Sequence, residues 1–328
     1  FIEENDIEFI EDFEFSFSNA DGETLEFKGV LNGLRNEQVM QQLKMYVIDF
    51  TSKPVRLNEQ EFVVKRFKNK NPKNIVSEMI ELIEGKEDKI EGNGEPMNFL
   101  GNRRRPTDII KFVCTEGVDK GQVSDPSDSK PEPQEKKIKG TTGYLCWETI
   151  DGYRFNSVKT ILEGGAGNQT EEFEYKLMND GETLSEAMKT ILTFEFQQIG
   201  DYQSHQRGGA FRNKLISYDM DTGLYAEFEQ KDKEETSQKM AQETKKPSRY
   251  FCKPFQNERF ENEGTKAQKN KYDQSRKYLS QNAVSQNNAP DSIGWFTVPL
   301  APSIRAGDLF KCKIYKVQSE GGSGGYDR

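Results

Sequence analysis

Apolar and polar residues alternate along the first part of the chain with the two-residue period of a half-buried strand. The alternation covers residues 7–17 and resumes at 25–30, after a turn predicted at 19–22. Two further strands are predicted at 45–50 and 62–67. Strands at this spacing, separated by turns, indicate a small barrel or a sandwich.

The period changes to that of a helix after residue 70. Asn71 can cap a helix, and Pro72 can occupy its first position, where the missing N–H costs little. The apolar residues that follow recur at three- and four-residue intervals, and Gly85 can end the helix. A second helix is predicted from Pro106 to about Val113. With the hairpin described next, these helices predict a small α/β unit.

Residues 143–158 predict an aromatic-rich hairpin, with Asp151-Gly152 as a tight two-residue turn. With this turn, one face of the hairpin carries Cys146, Glu148, Ile150, Tyr153 and Phe155. The other face carries Leu145, Trp147, Thr149, Arg154 and Val158. Because both faces carry large apolar groups, we expect the hairpin to pack on both sides.

The strand pattern resumes in the second half of the chain, between polar segments. The strands predicted there lie at 173–177, 192–196, 210–218, 224–228, 295–299 and 309–317. A capping box at Thr183 predicts a short helix, residues 265–285 a polar helix, and residues 305–308 a turn. The charged segments 119–142 and 230–248 cannot bury enough apolar surface to order themselves, so we expect solvated loops.

Composition narrows the classes of protein. Only 33% of the 328 residues are hydrophobic, and the net charge is −9. A surplus of acid argues against a protein that wraps nucleic acid, although not against one that DNA merely passes. No apolar run is long enough to span a bilayer. The four widely spaced cysteines suit a reducing compartment better than a disulfide scaffold; they are Cys114, Cys146, Cys252 and Cys312.

The residues with catalytic chemistry form no recognisable constellation. His205 is the only histidine and lies in a polar stretch without a nucleophile elbow, so a Ser-His-Asp triad is not expected. Residues 219–223 resemble a calcium loop, but a hairpin turn explains them better. The 55 acidic residues single out no carboxylate pair for glycoside hydrolysis. We therefore expect no catalytic, metal-binding or cofactor-binding residues, and a protein that is not an enzyme.

Arg103, Arg104 and Arg105 form the one sharp basic cluster. They precede a predicted helix start, where the helix dipole does not favour cations. Two interpretations stay open at this point: contact with a specific acidic partner, or an exposed and solvated turn.

The order of several motifs is more informative than any one of them. They include NRRRPTDII at residues 102–110, GYLCWETIDGYRF at 143–155 and NKLISYD at 213–219, with further segments at 43–50, 63–67, 74–80 and 305–308. In this order the chain resembles the baseplate hub subunit of T-even-type contractile-tailed phages, in the divergent form found in relatives of those phages. The resemblance covers most of residues 7–317 and rests on structural motifs.

The resemblance implies a β-rich α+β fold, with two tube-type β-barrel domains separated by a small α/β domain. The implied boundaries are 1–67 for the first barrel, 68–167 for the α/β domain with a disordered loop at 119–142, 168–229 and 290–328 for the second barrel, and 230–289 for a polar, partly helical insertion that interrupts it. A hub of this type has further strands after the position of Arg328, so the second barrel is expected to be incomplete.

The resemblance also implies a function. Such a hub is a homotrimer whose six barrels form a pseudo-sixfold ring, which adapts the tail tube to the central spike. Tube or tube-initiator proteins would bind on one side and a spike or tail lysozyme on the other, while genomic DNA passes without specific binding. The protein would be made in the host cytoplasm and would reside in the virion, without membrane insertion. Two alternatives remain: a tube or spike-cap protein of another contractile injection system, and a carbohydrate-binding or carbohydrate-active protein on a β scaffold.

Overall fold

A computed structural model describes sixteen stretches of the chain, two of which are single residues. These are residues 11–19, 22–40, 43–92, 94, 96–117, 143–162, 171–175, 183, 187–198, 202–208, 212–218, 225–231, 246–247, 249–254, 292–299 and 301–314. The predicted loop at 119–142, the calcium-like segment at 219–223 and the predicted helix at 265–285 lie outside them. So do residues 7–10 and most of 230–248.

Fifteen strands and five helices are described. The strands are Asp12–Ser18 (β1), Thr24–Met40 (β2), Leu43–Thr51 (β3), Arg66–Lys70 (β4), Glu87–Ile90 (β5), Met97–Leu100 (β6), Tyr144–Thr149 (β7), Gly152–Ser157 (β8), Glu171–Tyr175 (β9), Thr193–Gln198 (β10), Arg212–Tyr218 (β11), Tyr225–Lys231 (β12), Arg249–Pro254 (β13), Ser292–Thr297 (β14) and Phe310–Ile314 (β15). The helices are Lys53–Asn58 (α1), Pro72–Leu82 (α2), Pro106–Glu116 (α3), Val158–Leu162 (α4) and Tyr202–Gly208 (α5).

The first sheet is antiparallel, in the order β1-β2-β3. Its alternation gives one charged face and one aromatic face, as the sequence predicts. On the charged face Lys28 pairs with Glu14 at 2.8 Å. On the aromatic face Phe15 stacks on Phe27 with ring centroids 5.0 Å apart, and Phe50 meets Phe15 edge-on at 4.8 Å. The aromatic face is only half-buried within the described residues.

The main core belongs to the α/β unit. Helices α2 and α3 pack together against the mixed sheet β5-β8-β7 and the two-stranded sheet β4-β6. The buried side chains that form this core are Val63, Phe67, Ile75, Val76, Met79, Ile80, Ile83, Met97, Ile109, Ile110, Val113, Tyr144, Tyr153 and Phe155. Val63 and Phe67, which the sequence interpretation assigned to the first barrel, therefore lie in the core of the α/β unit.

Both predicted helices of this unit are confirmed, each with proline in its first turn. The Asn71 side chain makes no capping hydrogen bond, although its backbone is extended as a cap requires. Helix α3 is capped from another element, because Asn58 of α1 accepts a 2.9 Å hydrogen bond from the Thr107 amide through Oδ1. The cap ties α1 to the start of α3, just after the arginine cluster.

The aromatic hairpin is confirmed and β8 is buried on both sides, but the turn differs from the prediction, and two residues predicted on its faces, Ile150 and Val158, lie in the turn and in α4. Thr149 pairs with Gly152, so the two turn residues are Ile150 and Asp151. Gly152 instead begins β8 with φ of 138°, and a Cβ there would lie 2.6 Å from the Lys86 carbonyl oxygen. The glycine is thus required by the close approach of the segment that contains Lys86, not by the turn itself.

The remaining strands form three small sheets. β10 pairs antiparallel with β14, β9 pairs parallel with β15, and β11 lies between β12 and β13. The predicted hairpin of β11 and β12 is confirmed. β13 lies within the segment interpreted as an insertion, yet it pairs in parallel with β11. Aromatic rings join the first two of these sheets, since Phe310 of β15 contacts both Phe173 of β9 and Phe296 of β14.

The β-rich α+β class is therefore confirmed. The described strands form open sheets, and none of these sheets closes into a barrel within the described residues. The two barrel domains stay a prediction. None of the described helices is both long and apolar enough to cross a membrane.

Candidate interaction surfaces

The three arginines of the basic cluster lie between β6 and α3, and their environments differ. The backbone of this segment is bound to Val63, whose amide donates to the Arg104 carbonyl at 2.9 Å and whose carbonyl accepts from the Arg103 amide at 3.0 Å. Asn102 and Arg103 both have left-handed backbones, with φ of 52° and 56°. The segment is therefore held in a defined but strained conformation.

Two of the three side chains have partners inside the fold. The Arg104 guanidinium lies 5.0 Å from the centre of the Phe112 ring. Arg105 forms an ion pair with Glu59 and lies 5.9 Å from the centre of the Phe62 ring. Arg103 is exposed. Arg104 is also exposed, so the cluster divides into two arginines that have partners in the fold and one that is exposed without such a partner among the described residues.

A set of residues that the sequence analysis did not single out lies next to Arg103. Val63 and Phe67 are buried, whereas Val64, Arg66 and Lys68 alternate with them and are exposed. Leu100 is opposite Arg66 in the β4-β6 pairing and is also exposed. We call Phe62, Val64, Arg66, Lys68, Leu100 and Arg103 the basic face. The recurrence of the first four of these side chains at every second position of residues 62–68 is the signal for this face in the sequence, but that pattern by itself predicts only an ordinary strand.

A second feature is an open cleft between the first sheet and the aromatic hairpin, with a volume of about 660 Å³. Its lining combines aromatic rings with charged groups, including Phe27, Phe50, Glu148, Asp151 and Arg305. Glu148 is oriented by Ser52, whose hydroxyl donates to it at 2.9 Å, and Arg305 Nε donates to Asp151 at 2.6 Å. These carboxylates are therefore held by hydrogen bonds at the hairpin turn.

The segment 301–308 docks on the other face of the hairpin through a buried charge. Arg154 is 1% exposed, and its Nε donates to Asp88 at 2.6 Å. Its Nη1 donates to Asp308 at 3.1 Å and to the Ala306 carbonyl at 3.0 Å. Burial would lower the pKa of Arg154, but the hydrogen bonds that it donates to Asp88 and Asp308 outweigh this effect and raise the pKa. The charge is thus fully satisfied and fixes the segment in place.

Two thiols beside the core are poor nucleophiles. Burial raises the pKa of Cys114 and of Cys146 to about 12, so neither forms much thiolate near neutral pH. Cys252 is exposed, and all four cysteines are free. His205 lies in α5, but its side chain is outside the described part of the structure. Within the described residues, no three His, Cys, Asp or Glu side chains come together as metal ligands.

Large apolar side chains are exposed on two of the open sheets. On the first sheet these are Phe17, Val47, Ile48 and Phe50. On the β10-β14 sheet they are Phe194, Phe196, Ile293 and Trp295. Apolar patches on sheets with unpaired edges are typical of surfaces that another chain covers.

Comparison with known proteins adds no family assignment. No model of a known protein family matches the chain, and no curated protein matches it significantly.

Proposed function

We propose that the protein is a non-enzymatic structural subunit, the hub of a contractile phage baseplate, which works in the virion as a homotrimeric adaptor between tail tube and central spike. In this proposal two strand-rich modules per copy form six similar positions around an axis, and DNA passes through the ring without specific binding. The proposal rests on the order of motifs along the chain and on the surfaces of its open sheets.

The observation that carries the proposal is the exposed aromatic surface on two separate sheets. Phe17 and Phe50 belong to the first sheet, and Phe196 and Trp295 belong to the β10-β14 sheet. Exposed apolar surface of this kind favours association, and unpaired strand edges are protected when neighbouring copies cover them. A closed ring of heterologous contacts covers both sheets in every copy.

The experiment is a mass measurement of the purified protein, combined with negative-stain imaging. We expect a particle of three times 37.7 kDa that encloses an open axis. Replacing Phe17 and Phe196 by serine removes apolar contact from both sheets, so the variant should dissociate to monomers without losing its folded circular dichroism spectrum. The matched control replaces Val55 and Leu145, which are also exposed, by serine, and this variant should stay trimeric. A wild-type monomer at micromolar concentration would refute the proposal.

The cleft beside the hairpin favours one alternative, a carbohydrate-binding protein. Sugar sites commonly combine an aromatic platform with carboxylates, and Phe27 and Phe50 lie in the cleft with Glu148 and Asp151. Calorimetric titration with a panel of oligosaccharides tests this alternative. Binding by a monomer, lost in Glu148→Gln, would favour it over the hub.

A further inference from the structure

We infer that the basic face binds an acidic protein segment that also carries apolar side chains. The inference concerns a surface distinct from the aromatic sheets, and it does not depend on the proposed trimer.

The basic face combines apolar and cationic groups of the β4-β6 sheet with those of the segments just before β4 and just after β6. Phe62 is 52% exposed, Val64 76% and Leu100 64%. Arg66 and Lys68 lie two residues apart in β4 on either side of buried Phe67, so they project from the same side of the strand, and exposed Val64 precedes the strand. With about 3.3 Å per residue, Val64 to Lys68 spans about 13 Å. An extended segment of four or five residues matches this length.

The cations of the basic face differ from neighbouring cations in having no carboxylate partner. Lys70 pairs with Glu78 at 2.8 Å, and Arg105 pairs with Glu59. Among the residues that the structure describes, no carboxylate lies within ion-pair distance of the three cations of the basic face, which are Arg66, Lys68 and Arg103. Within the described part of the structure, a chain with a net charge of −9 thus presents three cations without a carboxylate partner on one small face.

Arg103 is placed where it does not help the fold. It precedes the N-terminus of α3, whose dipole disfavours cations, and its left-handed backbone costs about 1 kcal/mol relative to an ordinary conformation. Its neighbours Arg104 and Arg105 are anchored on aromatic rings, which fixes the segment that carries it. The arrangement therefore holds a solvent-facing cation at the edge of an apolar surface, the pattern found at binding hot spots.

The composition of the face distinguishes a protein partner from nucleic acid. Phosphate backbones are bound by cations and polar groups, so the exposed apolar side chains of Val64 and Leu100 make no favourable contact with them. The acidic chain as a whole also repels a polyanion. A segment with both carboxylates and apolar side chains complements both parts of the face.

The test measures binding of a short fluorescein-labelled peptide, in which Asp and Glu alternate with Leu and Val, to the full-length protein at low salt. The charge-reversed variant is Arg66→Glu, Lys68→Glu, Arg103→Glu. The matched control reverses three other exposed lysines, Lys86→Glu, Lys189→Glu and Lys246→Glu, so the net charge is the same. Circular dichroism checks that each variant is folded. If the charge-reversed variant unfolds, a milder variant with glutamine at the same three positions is used in its place.

We expect the reversal to weaken peptide binding at least about tenfold relative to the control variant. Val64→Ser with Leu100→Ser should weaken binding of the same peptide, but not of a peptide made only of Glu and Ser. The inference is overturned if the peptide does not bind, if the reversal and the control behave alike, or if a single-stranded DNA of equal charge binds more tightly than the peptide.

Discussion

Arg154 carries a positive charge into the interior of the aromatic hairpin, where the carboxylates of Asp88 and Asp308 meet it. The two acceptors differ in burial, since the Asp308 side chain is 8% exposed and that of Asp88 is 21% exposed. The net stabilisation from such an arrangement is small, because desolvation opposes the attraction. Removal of one member has a much larger effect, since it leaves the others without compensation.

We predict that Arg154→Ala lowers the free energy of unfolding by about 3–5 kcal/mol, because the buried Asp308 carboxylate and the more exposed Asp88 lose their shared partner. Arg154→Lys should restore only part of the loss, since one ammonium cannot reproduce the forked contacts of the guanidinium. Urea denaturation measures both. The control Arg66→Ala removes an exposed arginine and should change stability by less than about 0.5 kcal/mol.

For single residues, the sequence predicts the strand face on which a side chain lies, but not the distant residues that it contacts. Strand alternation places Arg154 on the same hairpin face as Trp147, and the structure confirms that they are opposite each other. Nothing local identifies Asp88 or Asp308, which lie 66 and 154 residues away along the chain. Arg103 belongs to a cluster that is visible in the sequence, whereas Arg66 lies near it only because β4 pairs with β6.

At the scale of elements, the end of α2 shows how a helix stops against a sheet. The Gly85 amide donates to the Ile80 carbonyl at 2.8 Å, and the Glu84 amide donates to the Glu81 carbonyl at 3.0 Å. These two bonds define a Schellman motif, in which the left-handed position is usually glycine. Here Glu84 occupies that position with φ of 53°. Gly85 follows it, against the Tyr153 ring.

We predict opposite effects for two neighbouring substitutions. Glu84→Gly should raise the free energy of unfolding by about 0.5–1 kcal/mol, because it relieves the left-handed strain and loses only an exposed ion pair with Lys53. Gly85→Ala should lower it by about 1–3 kcal/mol, since a Cβ there would lie 2.9 Å from both Ile80 and Tyr153. Thermal and urea unfolding measure both. Equal effects of the two would contradict this account of the helix end.

Element prediction succeeded where short-range signals were strong. Proline in the first turn and a helical apolar period identified α2 and α3 from sequence. Helix α1 was missed because its six residues are too few to show a period, and its role as a cap for α3 depends on Asn58 alone. The predicted position of the hairpin turn is wrong because Gly152 is required by the close approach of the Lys86 carbonyl, which lies just before β5 and far away along the chain.

At the scale of the whole molecule, the hairpin joins the α/β unit to residues that come near the end of the described chain. Trp147 Nε1 donates to the Ala306 carbonyl at 2.9 Å, and Arg305 bonds to Asp151. Gly307 has φ of 88°, and a Cβ there would lie 2.5 Å from the Trp147 ring. The segment 301–308 therefore fits the hairpin only with glycine at this position.

We predict that Gly307→Val displaces the segment from the hairpin and shifts Trp147 fluorescence to the red, while far-ultraviolet circular dichroism stays that of a folded protein. Adding Trp295→Phe to both the wild-type protein and the Gly307→Val variant leaves Trp147 as the only tryptophan. The control is Gly22→Val, which has a similar φ of 83° but meets no atom within 4 Å. An unchanged emission spectrum in Gly307→Val would show that the segment does not depend on this contact.

The sequence predicts the turn at 305–308 but not its docking on the hairpin, because the two are separated by about half the chain. The β-rich class was predictable from aromatic alternation alone. Barrel closure was expected from resemblance, and closure depends on pairings between distant strands that local patterns do not specify.

The position of Asp308 also sets an order of events during synthesis. The hairpin leaves the ribosome 154 residues before the second carboxylate that Arg154 requires. Until then the arginine has only Asp88, and the interior face of the hairpin remains open to water. The α/β unit consequently lacks one of the two carboxylates that meet this buried charge until residue 308 has been made, long after its own helices and strands have left the ribosome.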